Sequence, residues 1–130
     1  MRSGNELVGI GIDIVSWSRV ERFLAQHSFE FLQRLLTPAE QEAFQRARSP
    51  LQFVARCFTA NEAYFKACSG GGIMGEAGFN QIETSMKGKN QFRAVSNSRS
   101  PAPRLEGEGN FFESPDGMGA QILIRREQTR

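Results

Sequence analysis

Three side chains in this sequence carry residue types and spacing suited to chemistry. Asp13 lies in Gly9-Ile10-Gly11-Ile12-Asp13-Ile14-Val15, and Glu62 and Lys66 lie in Phe58-Thr59-Ala60-Asn61-Glu62-Ala63-Tyr64-Phe65-Lys66. The first segment reads as a buried strand with one carboxylate at its end. The second reads as a helix in which residues four apart share a face. A carboxylate from a strand, a second from a helix and a neighbouring ammonium suit a hard cation held against a phosphorylated ligand. Plainer readings exist. Asp13 can cap the helix that follows, although Ser16 and Ser18 can do the same. Glu62 and Lys66 can form an exposed i,i+4 ion pair worth about 0.3–0.5 kcal/mol.

The elements that must position these groups follow from pattern. Leu7 to Val15 has apolar residues at 8, 10, 12 and 14, which predicts a strand with that face fully buried. A helix follows from Ser16 or Ser18, with its apolar stripe broken near His27-Ser28. Thr37-Pro38-Ala39-Glu40 predicts a helix start, with Thr37 as N-cap, Pro38 in the first turn and Glu40 closing a capping box. Ser49-Pro50 repeats the signal and opens the longest helix, running to about Cys68 and ended by Gly70-Gly71-Gly72. Residues 79 to 95 read as two strands joined near Lys87-Gly88-Lys89. Residues 96 to 110, rich in Ser, Pro and Gly, read as a mobile loop. Ala120 to Ile124 reads as a closing strand and Arg125 to Arg130 as a solvated tail. Helices bracketed by strands, without repeating βαβ units, predict an α+β fold with an antiparallel sheet packed on a long helix.

The 130 residues suffice for one domain, residues 1–130. Sixteen basic against fourteen acidic side chains is too even a balance to point to nucleic acid. No apolar run is long enough to span a membrane and no signal-peptide pattern is present, so a cytoplasmic location is expected. Cys57 and Cys68, on one predicted helix, would lie about 16 Å apart. A disulfide needs Cα atoms within about 7 Å, so both are expected as reduced thiols.

The chain resembles the 4′-phosphopantetheinyl transferases of the holo-acyl-carrier-protein-synthase type. The resemblance rests on Gly9, Gly11, Asp13, Ile14 and Arg19, then on Phe31, Arg34, Leu36, Thr37 and Glu40. It continues through Phe58, Glu62, Ala63, Lys66 and Ala67, then Gly70, Gly72 and Ile73, and finally Phe79, Ile82 and Glu83. It implies magnesium held by Asp13 and Glu62, and Glu62 and Lys66 as catalytic groups. Coenzyme A, the substrate, would be met by Lys66, Gly70, Gly71, Gly72 and Ile73. An acyl carrier protein would be met by Arg19 and Arg22, although a solvated face is the plainer reading of Arg22. It also implies a homotrimer with sites between subunits. Three family positions differ: an arginine is replaced by Cys57, a lysine by Asn61 and a histidine by Glu113. These departures remove groups that the family places around the cofactor phosphates. They leave as the alternative a weak or inactive homologue that still binds coenzyme A or a carrier protein.

Overall fold

The computed structural model describes residues 5–26, 36–69, 82–96 and 105–127. Five strands form one antiparallel sheet: β1 (Asn5–Ser16), β2 (Ile82–Met86), β3 (Gln91–Ser96), β4 (Leu105–Glu113) and β5 (Gly117–Glu127), in the spatial order β1-β5-β4-β3-β2. Helix α1 (Trp17–Gln26) follows β1 directly, and α2 (Pro38–Arg46) and α3 (Pro50–Ser69) follow in the chain. Helix α3 packs mainly on β1 and β5. Phe92, Phe111, Met118, Ala120, Ile122 and Ile124 meet Ala60, Ala63, Tyr64 and Ala67 in the core between helix and sheet. The expected α+β architecture is the one observed.

Strand β1 buries the face opposite to the one its hydropathy predicts. Ile10, Ile12 and Ile14 are 65%, 48% and 67% exposed, whereas Gly11, Asp13 and Val15 are buried. The reason is distance. A methyl group built on Gly11 would collide with the Ala63 carbonyl and lie 2.8 Å from the Ala67 nitrogen, and one built on Gly9 would collide with the Ala67 carbonyl. Only glycine lets strand and helix backbones approach this closely. Two strand residues advance about 6.8 Å and four helix residues about 6 Å, so the two contacts stay in step along both elements.

The capping signals are observed. Thr37 Oγ1 accepts from Glu40 N, and Glu40 Oε1 accepts from Thr37 N, completing the capping box. Ser49 Oγ accepts from Gln52 N at the start of α3, and Ser16 Oγ accepts from Arg19 N at the start of α1. Gly88, at φ +107°, turns the chain between β2 and β3. Two boundaries differ from expectation. Leu105 to Asn110 belongs to β4 rather than to a loop, because Leu105, Gly107 and Gly109 alternate inward as a strand requires. Arg125 to Glu127 extends β5 by pairing with Leu7, Glu6 and Asn5. Residues 97–104 of the expected loop lie outside the described residues. Polar side chains buried on α3 return to their own helix: Thr59 Oγ1 donates to Ala55 O and Asn61 Nδ2 to Cys57 O. Tyr64 Oη donates to Leu105 O, fastening α3 to β4.

The close approach yields a test. Gly11→Ala is expected to lower stability by about 3 kcal/mol or more, since relief requires moving one backbone away from the other. Denaturant unfolding monitored by circular dichroism would measure it. An unchanged midpoint would contradict the packing described.

Candidate active site

Three residues of the site descend from the β1–α3 contact. Asp13 follows Gly11 by two residues, so its side chain points to the same, helix-facing side. It lies at the flank of α3 where Glu62 and Lys66 sit beside Ala63 and Ala67. Helical side chains lean toward the N-terminus, which aims Lys66 back toward Glu62 and Asp13. Lys66 Nζ donates to Asp13 Oδ1 at 2.9 Å. Beyond the plainer reading of Lys66 as a surface partner of Glu62, its ammonium thus bonds helix to strand. The capping role open to Asp13 falls to Ser16.

Asp13 is buried, and its second oxygen, Oδ2, is buried with no hydrogen-bond partner. Glu62 is half-buried beside it. Its carboxyl is held above the usual range, first by burial and then by the Asp13 charge, while Lys66 and Arg19 pull it back. The Lys66 ammonium is held above its ordinary range chiefly by the hydrogen bond to Asp13. Two carboxylates thus face each other in a partly dry site, with two cations on its rim. An unsatisfied buried carboxylate oxygen beside a second carboxyl suits a divalent cation, and magnesium needs only one or two protein carboxylates when phosphate and water supply the rest. Among the described residues no cluster of three or more His, Cys, Asp or Glu is placed to hold a metal.

Arg19 and Arg22 are exposed on α1. The Arg19 charge acts on Glu62, a role the sequence reading missed. The resemblance had pointed to Arg19 only as a carrier-protein contact. Gly70, Gly71, Gly72 and Ile73 lie outside the described residues, as do Phe31, Arg34, His27 and Phe79.

Cys57, Asn61 and Glu113 each have local roles. Cys57 is buried as a free thiol, and burial pushes its pKa up, with the Glu40 charge adding to the effect. Asn61 is buried, with its side-chain amide donating to the Cys57 carbonyl. Glu113 is not an isolated negative charge. It accepts from Gln52 Nε2 at 2.9 Å and pairs with Arg56 at 3.5 Å. Arg56 lies over the Phe111 ring and donates to Lys89 O. Arg56 therefore offsets the charge of Glu113.

Residues 9–112 match the family model for the 4′-phosphopantetheinyl transferase superfamily. The chain belongs to this family. A holo-[acyl-carrier-protein] synthase of Maridesulfovibrio salexigens is 33% identical over 115 residues, covering 88% of this chain and 82% of the relative. One from Yersinia enterocolitica is 38% identical over 77 residues, covering 59% of this chain and 60% of the relative. The match to this second relative thus spans about three-fifths of its length. The crystal structure of the Neisseria meningitidis holo-[acyl-carrier-protein] synthase superposes with a TM-score of 0.73 at 27% identity, covering 91% of this chain and 98% of that one. The Mycobacterium tuberculosis structure shares the fold at 18% identity and a TM-score of 0.59, covering 92% of this chain and 98% of that one.

The charges around Glu62 predict a titration pattern. Removing the Asp13 charge in Asp13→Asn is expected to lower the Glu62 pKa, and removing the ammonium in Lys66→Ala is expected to raise it. Carboxyl-carbon NMR titration of Glu62 measures both. Shifts in one direction for both variants would mean that the two groups do not flank Glu62.

Proposed function

We propose that this protein transfers 4′-phosphopantetheine from coenzyme A to a serine hydroxyl of an acyl carrier protein. The observation that carries the reading is the buried, unpaired Asp13 Oδ2 beside Glu62, with Lys66 bonded to the other oxygen. Asp13 and Glu62 are the residues that would hold magnesium, which when bound supplies positive charge for a pyrophosphate. Lys66 has an exposed stem and would meet a phosphate oxygen as charge accumulates on it. The serine oxygen forms a bond to the β-phosphorus of coenzyme A. The bond from that phosphorus to the oxygen bridging to the α-phosphate breaks, and adenosine 3′,5′-bisphosphate leaves with the electron pair. Glu62, half-buried and with its pKa raised, is the group suited to take the serine proton. Arg19 and Arg22 present positive charge beside the site to an acidic carrier protein. Gly70 to Ile73 are assigned to coenzyme A contact on the family motif. The buried thiols of Cys57 and Cys68 support a reducing, cytoplasmic setting. Among the described residues no helix is long and apolar enough to cross a membrane.

The test is mass spectrometry of an apo carrier protein incubated with coenzyme A and magnesium. A mass gain equal to one phosphopantetheine is expected, lost on chelation of magnesium and in Glu62→Ala. In Lys66→Ala, coenzyme A binding should weaken in a salt-dependent way, because the lost interaction is Coulombic. Transfer unaffected by Glu62→Ala would end the assignment.

We further propose a homotrimer assembled through the outer face of the sheet. Ile10, Ile12, Ile14, Leu123 and Phe112 are all more than two-fifths exposed there. The register places Ile10 beside Leu123, and both Ile14 and Phe112 beside Gly119, so the patch is continuous. A contiguous apolar patch of this kind marks a protein contact. Light scattering at micromolar concentration is expected to give the trimer mass, and Ile12→Asp the monomer mass. A monomer for the unaltered chain would overturn the assembly.

A further inference from the structure

Trp17, the chain's only tryptophan, opens α1 and has no part in the proposed chemistry. Its backbone N–H, a helix-start donor without an intrahelical partner, donates to Asp116 O at 3.0 Å. Its indole Nε1–H donates to Ser114 O at 3.2 Å, across 97 positions of sequence. Both acceptors belong to the turn between β4 and β5, Ser114-Pro115-Asp116-Gly117, a residue order suited to a type I turn. The turn is closed on itself: Ser114 N donates to Gly117 O at 2.8 Å, and Asp116 N donates to Ser114 Oγ at 3.2 Å. It also presses on the end of β1, because a methyl group built on Gly117 would collide with the Val15 carbonyl. We propose that Trp17 is a positioning residue: it ties α1 to this turn and so sets the direction in which Arg19 and Arg22 face a carrier protein. This role rests on the reading of both arginines as carrier-protein contacts.

Helix α1 has little else to fix its direction. Val20 is its one buried residue, and Trp17 and Leu24 pack half-buried against the core. Positions 17, 20 and 24 have the i, i+3, i+7 spacing of a single helix face. At about 100° per residue, Arg19 and Arg22 fall on the opposite face, and both are exposed there. Apolar contact is non-directional, so a helix held by one buried side chain is free to roll and tilt about it. Two hydrogen bonds at its first residue are directional and remove that freedom. What is fixed on the inner face is then fixed for the arginines on the outer one. Asp13 is placed independently, by the contact of Gly9 and Gly11 with α3. Loosening Trp17 therefore disturbs the arginines and leaves the carboxylates where they are. Alignment of opposite charges governs how partners meet more than what happens once they have met. The loss belongs in the KM for the carrier protein and not in kcat.

The test compares Trp17→Phe with the unaltered chain. Phenylalanine keeps an aromatic ring and removes the indole donor. The KM for an apo carrier protein is expected to rise about fivefold, the worth of one neutral hydrogen bond, with kcat and the affinity for coenzyme A unchanged. Added salt should narrow the difference, because the contact at stake is Coulombic. In an Arg19→Ala, Arg22→Ala background, Trp17→Phe should leave KM unmoved, since Trp17 acts through those side chains. A purely structural loss would lower kcat through the folded fraction and would persist in that background. An unchanged KM, or a rise that persists without the arginines, would overturn the positioning role. The tie itself is read without turnover: the amide-exchange protection factor of Val20 is expected to fall about fivefold in Trp17→Phe. Unchanged protection would overturn it whether or not phosphopantetheine is transferred. Absence of transfer by the unaltered chain, by contrast, would count against the proposed activity and leave the exchange measurement to decide the tie.

Discussion

The contact between the backbones of β1 and α3 is the constraint on which the rest of the molecule depends. Gly9 and Gly11 have no side chain, so the carbonyls of Ala67 and Ala63 sit where a Cβ would otherwise be. Small residues on both partners make this possible: two glycines on the strand and two alanines on the helix. The gain is positional. A strand pressed onto a helix at two points in step has no freedom to slide or tilt, and the next inward residue, Asp13, is delivered to a fixed place on the helix flank. Substituting a larger residue at either glycine would do more than lose packing. It would move the carboxylate away from Lys66, and an ångström of misplacement matters for groups that act together.

The electrostatic state of that place also follows from the contact. Burial raises the free energy of charge on Glu62, and the fixed Asp13 charge raises it further. Lys66 satisfies one Asp13 oxygen and leaves the other without a partner. A buried polar atom with no partner costs free energy that some other part of the design must recover. In the proposed function, a cation placed against Oδ2 would satisfy the oxygen and relieve the repulsion between the carboxylates together.

The features read correctly in the sequence were those governed by local chemistry. The Thr37–Glu40 capping box, the serine caps at 16 and 49, the turn at Gly88 and the length of α3 each depend on a few adjacent residues with well-defined conformational preferences. The features misread were those decided across space. Alternation in β1 gives the period of a strand but not the direction in which its apolar face points, and the glycines that settle the matter have no hydropathy to signal it. Leu105 to Asn110 looked like loop because glycine and charged residues are poor strand formers in isolation. In the sheet, Glu106 pairs with Arg93, and Gly107 and Gly109 face the core, so each weak strand former has a local reason to be there. The convergence of Asp13, Glu62 and Lys66 was legible only through the family resemblance. Spacing alone favoured a surface ion pair between Glu62 and Lys66. The bond from Lys66 to Asp13 spans 53 positions of sequence, and no local pattern encodes it.

Strand β1 therefore has two faces with separate duties, and the inverted hydropathy is the consequence. Its inner face carries glycine and aspartate because it must approach a helix closely and present a carboxylate. Its outer face carries three isoleucines because, in the proposed trimer, apolar surface is to be covered by another copy of the chain. The alternation of a strand fixes these duties at adjacent positions: Ile12 and Ile14 flank Asp13 directly. A neighbouring subunit held against the isoleucines would restrain the same stretch of backbone that positions the carboxylate. Docking on the outer face and geometry on the inner face are then coupled through a single strand, with no need for a longer path. A small domain whose site lies at the flank of one helix gains from such coupling the rigidity that its own limited core does not supply.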